Sequence, residues 1–86
     1  MDLLDYRREL DELDAEMVRL FVRRMEIVQG IGQYKKEHHL PVLDAQRERE
    51  KLDAVAAMAP EGLQSCTKEL YQALFALSRR YQEENS

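Results

Sequence analysis

The stretch FVRRMEIVQGIGQYKK, residues 21–36, has the spacing of an amphipathic helix but directs cations toward its apolar side. Apolar residues recur every three or four positions along it, as they do on one face of a helix. Arg24 stands where that face should continue with an apolar residue, and Lys35 lies beside the same face. Burying a cation without a partner is costly, so these two residues suggest a role other than stabilising the fold.

The apolar face extends well beyond this stretch in the N-terminal direction. Its positions follow alternating steps of three and four residues: Leu3, Tyr6, Leu10, Leu13, Met17, Leu20, Arg24, Ile27, Ile31 and Tyr34. Arg24 is the one polar member of this series. A neighbouring row at heptad spacing carries Arg7 near one end and Lys35 near the other. Both of these cations therefore border the predicted buried face.

The length of this helix predicts a second chain. No proline interrupts residues 1–40, and Gly30 and Gly32 each cost a helix only about 1 kcal/mol relative to alanine, so one helix is expected over residues 3–37. Such a helix is about 50 Å long, whereas a compact domain of this size is only about 30 Å across. We expect a homodimer to cover the exposed part of the apolar face, and the two glycines to let another helix approach closely.

Two shorter helices follow the long one. Residues 38–44, HHLPVLD, form a break, because Pro41 disfavours helix before it and Asp44 is a good N-cap. The second helix is AQREREKLDAVAAM, residues 45–58, and APEG ends it. The third begins near Leu63 or Ser65 and ends at Glu84, with its leucines on one face. The sequence thus predicts one all-α domain over residues 1–86, with one long, one short and one medium helix.

Composition excludes several classes of function. At 44% hydrophobic and 35% charged residues the chain suits a globular domain, and no uncharged run approaches membrane-spanning length. The net charge of −4 argues against nucleic acid as a partner. The acidic start MDLLDYRREL lacks the features of a secretory signal, so a cytoplasmic location is expected. We expect Cys66 to face the core, and the adjacent His38 and His39 to be exposed with no metal and no cofactor.

Eight polar residues fall on or near inward-facing positions, and each has an ordinary explanation. Arg24 can pair with Glu48 or Asp14, Lys35 can extend to the surface, and Ser78 with Gln82 can edge the third helix. Together, however, several converging cations imply an anionic guest, a small molecule with two carboxylates and a hydroxyl. No activated nucleophile, phosphate loop or metal cluster is evident. The eight residues are Arg7, Arg24, Lys35, Asp44, Arg47, Glu48, Ser78 and Gln82.

Three segments resemble the all-helical, type II chorismate mutases, and they cover nearly the whole chain. They are YRRELDELDAEMVRLFVRRMEIVQGIGQYKK at residues 6–36, PVLDAQRERE at 41–50 and SRRYQ at 78–82. The resemblance implies an intertwined homodimer that converts chorismate to prephenate by a Claisen rearrangement, a step toward phenylalanine and tyrosine, without a cofactor. In this family each active site takes most of its residues from one chain and an arginine from the other. By that resemblance Arg7 crosses the dimer, while Arg24 and Lys35 hold the substrate carboxylates.

The resemblance also suggests roles for the second and third helices. Asp44 and Glu48 resemble the residues near the ring hydroxyl of the substrate, with Arg47 between them. Ser78 resembles a residue near a carboxylate, and Gln82 resembles the donor to the ether oxygen. Lys35 and Gln82 would therefore be the catalytic pair.

Two other functions are compatible with the sequence. An isochorismate pyruvate lyase shares this fold and an anion pocket, although Glu48 suits the hydroxyl of chorismate better. A non-catalytic helical dimerisation module would use the charged residues to fix helix register. Such a module would not bind a dicarboxylate that mimics the transition state.

Overall fold

The computed structural model describes residues 1–85 and contains three α-helices. These are α1 (Leu3–Glu37), α2 (Ala45–Met58) and α3 (Gln64–Glu84), and a short 3-10 helix, Glu61–Leu63, precedes α3. No strand occurs within the described residues. The predicted all-α fold of one long, one short and one medium helix is confirmed. None of the helices in this part of the chain combines the length and the apolar character needed to cross a membrane.

Side-chain caps set the starts of the two helices that contribute most of the predicted site. At α1, Asp2 accepts from the Asp5 backbone N–H at 3.0 Å, and the Asp5 carboxylate accepts from the Asp2 N–H in return. At α2, the Asp44 carboxylate accepts from the Arg47 N–H at 3.0 Å, as its predicted N-cap role requires. At the other end of α1, the ring of His38 stacks on Tyr34 with 4.0 Å between ring centroids.

Helix α3 packs against both α1 and α2, and the core between them is small. Its buried hydrophobic residues are Val28, Val55, Ala56 and Phe75. Gly32 of α1 is also buried, and a Cβ built there would lie 3.1 Å from Cγ of Gln82. The expected close helix approach is thus confirmed at Gly32. A Cβ at Gly30 would meet nothing within 4 Å in the protomer.

Most of α1 extends away from this core. The protomer measures 54 × 26 × 15 Å with a radius of gyration of 15.9 Å, compared with about 12 Å for a compact chain of 86 residues. The two buried residues of α1, Val28 and Gly32, both lie in its C-terminal half. Its apolar face is uncovered in the protomer, as Leu10, Leu13 and Met17 show with exposures of 55%, 57% and 57%. The prediction that this helix outgrows its own domain is confirmed.

One expectation and one alternative explanation for residues of α3 are wrong. Cys66 is exposed rather than core-facing, because the buried row of α3 passes through Tyr71, Phe75 and Ser78 and leaves Cys66 outside it. The same row, ending at Gln82, is the side that packs on α1 and α2. Ser78 and Gln82 are therefore buried within the structure and do not edge the helix.

Candidate active site

A cavity of about 600 Å³ lies among the C-terminal half of α1, the start of α2 and the C-terminal half of α3. Each helix contributes polar residues to an otherwise apolar wall that includes Ile27, Val28 and Phe75. The structure brings together seven of the eight residues that the sequence predicted for a site. These are Arg24, Lys35, Asp44, Arg47, Glu48, Ser78 and Gln82.

Arg7 is the predicted residue that does not line this cavity. It is exposed near the N-terminus of α1. Seventeen residues separate it from Arg24 on the same helix, a distance of about 25 Å at the rise of an α-helix. Arg7 therefore cannot reach the cavity of its own protomer.

The cavity is also lined by three cations that the sequence analysis did not predict: Arg23, Lys51 and Arg79. Lys51 follows Arg47 by one helical turn, a spacing visible in the sequence, and Arg79 directly follows Ser78. The lining then holds six basic residues against two acidic ones, Asp44 and Glu48, a local excess of four positive charges. The whole chain carries a net charge of −4. Positive charge is thus concentrated at the cavity, where it attracts a small dianion.

The loop between α1 and α2 holds Lys35 in the cavity wall. Its Nζ donates to the carbonyl oxygen of Val42 at 2.8 Å, and its own carbonyl accepts from the Leu40 N–H at 2.8 Å. The side chain is half-buried. An ammonium group has three protons, so this contact leaves two of them for a ligand. Lys35 is therefore a fixed donor with unused capacity.

Arg24 has no carboxylate partner among the described residues. Its Nε is buried without a hydrogen-bond partner, and its guanidinium lies 5.6 Å from the ring centroid of Tyr71. Glu48, one of the two acids considered for it, is bound by Arg79 instead, at 2.5 and 2.6 Å. The explanation of Arg24 as one half of a buried ion pair is thus wrong. Its positive charge remains available at the cavity.

Ser78 and Gln82 contribute polar atoms from deep within the packed region. Their residues are only 7% and 6% exposed. Oγ of Ser78 and Oε1 of Gln82 are buried and have no hydrogen-bond partner. Within residues 1–85, the buried side-chain polar atoms that lack a hydrogen bond are these two and Nε of Arg24. Such atoms are rare because each costs about 1–3 kcal/mol. All three belong to residues that line one cavity, where a polar ligand would supply the missing hydrogen bonds.

The start of α2 adds groups of both charges. One oxygen of Asp44 is occupied by the helix cap, while the Arg47 side chain is exposed at the cavity. Glu48 is half-buried. The arrangement offers cations and hydrogen-bond donors to a ligand with carboxylates, together with acceptors for a hydroxyl. It suits binding and charge stabilisation better than covalent chemistry.

Comparison with known proteins identifies the family. Residues 6–83 match the family model described as chorismate mutase type II, so the chain belongs to that family. It is 42% identical over 52 residues, 60% of its length, to the T-protein of Haemophilus influenzae. It is 31% identical over 85 residues, 95% of its length, to the bifunctional chorismate mutase/prephenate dehydratase of Aquifex aeolicus.

The matches cover only part of each relative. The aligned regions account for 14% of the Haemophilus influenzae protein and 21% of the Aquifex aeolicus protein. No solved structure matches the chain significantly.

Proposed function

We propose that this chain forms a single chorismate mutase domain that converts chorismate to prephenate in the biosynthesis of phenylalanine and tyrosine. Membership of the type II family supports this activity. The observation that carries it is the set of three buried, unpartnered polar atoms, on Arg24, Ser78 and Gln82, around one cationic cavity. Chorismate is a dicarboxylate with one hydroxyl and an ether oxygen. Its carboxylates accept hydrogen bonds from Nε of Arg24 and Oγ of Ser78, and rotation of the Gln82 amide, whose Oε1 lacks a donor as placed, turns the Nε2 donor toward the ether oxygen.

The reaction is a unimolecular rearrangement, so the protein has to hold one conformation of the substrate and stabilise its changing charge. Arg24 and Ser78 bind a carboxylate and restrict the enolpyruvyl arm over the ring. Lys35 and Gln82 donate hydrogen bonds to the ether oxygen, where negative charge grows as its bond to the ring breaks. An acceleration of about 10⁶-fold requires about 8 kcal/mol, and one preorganised donor supplies roughly 3–4 kcal/mol. Two donors and restricted motion are therefore sufficient.

The ring end of the substrate lies toward α2 in this proposal. Glu48 accepts a hydrogen bond from the ring hydroxyl, and Asp44 lies nearby with one oxygen already used as the helix cap. Arg47, between them in sequence, contributes positive charge at the exposed side of the cavity. The substrate is thereby oriented at both ends.

A second copy of the chain completes the site. The uncovered apolar face of α1 provides an extended surface for the α1 of another protomer, and the intertwined pair buries side chains that are more than half exposed in one chain, such as Leu13 and Met17. Antiparallel α1 helices bring the N-terminus of one near the C-terminal half of the other. The partner's Arg7 then reaches the cavity of the first protomer, which is too far from that protomer's own Arg7.

A direct assay tests the activity. Purified protein should consume chorismate, followed by ultraviolet absorbance, and the product should be identified as prephenate by nuclear magnetic resonance. Isochorismate is tested in parallel, and release of pyruvate from it would identify a lyase instead. A Lys35→Ala protein, purified in the same way, controls for contaminating host enzyme. Absence of turnover with chorismate in the wild-type protein refutes the proposed function.

Mixed dimers test the shared site. Arg7→Ala and Lys35→Ala proteins should each be nearly inactive alone. After unfolding and random re-pairing about half of the dimers are mixed, and each mixed dimer has one intact site, because its Arg7→Ala chain keeps Lys35 and receives Arg7 from the other chain. About a quarter of the wild-type activity should return. If mass spectrometry shows mixed dimers but activity remains at the level of the parents, Arg7 does not act across the interface.

A further inference from the structure

Glu48 is held by an ion pair with Arg79 across the α2–α3 interface. Nη1 of Arg79 donates to Oε1 of Glu48 at 2.5 Å and to Oε2 at 2.6 Å. The two side chains are 25% and 32% exposed, which makes them the most buried of the salt bridges in the described part of the chain. One nitrogen thus fixes both oxygens of the carboxylate and leaves it little rotational freedom.

The position of this pair connects it to the candidate site. Glu48 and Arg79 both line the main cavity. They also line a smaller cavity of about 410 Å³, whose other lining residues include Leu52 and Gln72. Both residues of the pair therefore border both cavities.

We propose that Arg79 is a positioning residue that sets the selectivity of the site for a substrate with a ring hydroxyl. The assignment rests on the proposed function, in which Glu48 accepts the hydrogen bond from that hydroxyl. A glutamate side chain has three rotatable bonds, and Arg79 selects one arrangement before the substrate arrives. Because a carboxylate oxygen accepts more than one hydrogen bond, each oxygen retains capacity for the hydroxyl after Arg79 is bound.

Two other roles for Arg79 make different predictions. If the pair only joins α2 to α3, its loss lowers thermal stability without changing which ligands bind to the folded protein. If Arg79 binds a substrate carboxylate directly, its loss weakens every dicarboxylate equally, with or without a hydroxyl. A loss confined to substrates with a ring hydroxyl therefore distinguishes the positioning role from the structural role and from direct binding of a carboxylate.

The test compares Arg79→Met with Arg79→Lys, and with Arg80→Met as the matched control. Methionine keeps an unbranched side chain but removes the charge and the donors, whereas a lysine nitrogen can replace the single nitrogen that bridges both oxygens. Arg80 is the adjacent arginine, and it is exposed, with Glu84 3.8 Å away. Circular dichroism and thermal unfolding establish that each variant is folded at the assay temperature.

For each protein, kcat/KM is measured with chorismate. The dissociation constant is measured with an analogue in which hydrogen replaces the ring hydroxyl. Arg79→Met should lower kcat/KM for chorismate by about 10-fold or more, the effect of one misplaced hydrogen bond to a charged group. Its affinity for the analogue should change by less than about 2-fold, and Arg79→Lys should restore a large part of the loss. Arg80→Met should match the wild type. In a Glu48→Gln background, Arg79→Met should cause little further loss, because Arg79 acts through Glu48.

Three outcomes would overturn the assignment. They are an unchanged kcat/KM in folded Arg79→Met, an equal loss for chorismate and for the analogue, and full additivity with Glu48→Gln. If Arg79→Met does not fold, the same comparison in Arg79→Lys decides, because an unselective loss there also refutes the positioning role. An inactive wild-type protein refutes the proposed function itself, whereas an active wild type with an unselective Arg79 variant refutes only this inference.

Discussion

Substitution of Gly32 by alanine should impair catalysis while the protein remains folded. The added Cβ would lie 3.1 Å from Cγ, 3.3 Å from Cβ and 3.5 Å from Cα of Gln82. Carbon atoms pack best at about 3.5–4.0 Å, so the two closest contacts require a displacement of a few tenths of an ångström or more. Gln82 is buried against α1, and its backbone belongs to α3. The displacement therefore falls on the proposed donor to the ether oxygen.

The expected magnitudes follow from these contacts. Alanine in place of glycine favours the helix by about 1 kcal/mol, while overpacking a close contact costs about 1–3 kcal/mol. The free energy of unfolding should thus fall by about 0–2 kcal/mol. A displacement of 1 Å at a catalytic group can cost about 10²-fold in rate, and the smaller shift here should lower kcat by about 10-fold or more.

Gly30→Ala is the matched control, because its Cβ meets nothing within 4 Å in the protomer. It should stabilise α1 by up to about 1 kcal/mol and leave kcat unchanged. Turnover is measured by chorismate absorbance and stability by urea unfolding, on both variants and on Gln82→Ala. In a Gln82→Ala background, Gly32→Ala should cause little additional loss of kcat, since the donor is already absent. A Gly32→Ala protein with wild-type kcat, alongside an impaired Gln82→Ala, would refute the reasoning that this contact positions the donor.

Three further predictions use other parts of the site. Lys35→Ala should lower kcat by at least about 10²-fold with the helical dimer intact. Near-normal turnover would show that Lys35 does not stabilise the transition state. Gln82→Glu should shift the activity optimum to acidic pH, because a carboxyl with an ordinary pKa near 4.3 donates only when protonated; an unchanged pH profile would place Gln82 outside the site. Dilution should lower activity and helical circular dichroism together, whereas activity that stays constant in a demonstrated monomer would contradict the shared site.

The helix boundaries and most of the polar residues that line the cavity were predictable because they depend on local signals. Pro41, Asp44 and the PEG segment mark the ends of helices whatever the tertiary context. Arg24 and Lys35 were recognisable because each departs from, or borders, a regular apolar face. The resemblance to a known family then connected residues that lie far apart in sequence, such as Lys35 and Gln82.

The partners of individual side chains were not predictable, because they depend on helix rotation and packing. Both faces of α3 carry apolar residues, so the sequence alone does not show which face is buried. In the structure Phe75 and Ser78 are buried, whereas Leu70 is 49% exposed. The misassignment of Cys66 has the same cause. Arg79 was missed because a cation beside Ser78 in a charged segment reads as a surface residue, and its partner Glu48 is 31 positions away.

The small core of the protomer and the polar residues of the candidate site together favour the proposed association with a second chain. Only four hydrophobic residues are buried in the described structure, while the row through the same packed region continues into Ser78 and Gln82. These two buried residues have polar atoms without partners, and apolar side chains at the same positions would make the core more stable. Because the long apolar face of α1 remains uncovered in the protomer, association through it can supply the stability that the site removes. In the proposed dimer the same association would also bring the partner's Arg7 to the cavity, so one helix would provide both the stability of the dimer and the completion of its two proposed sites.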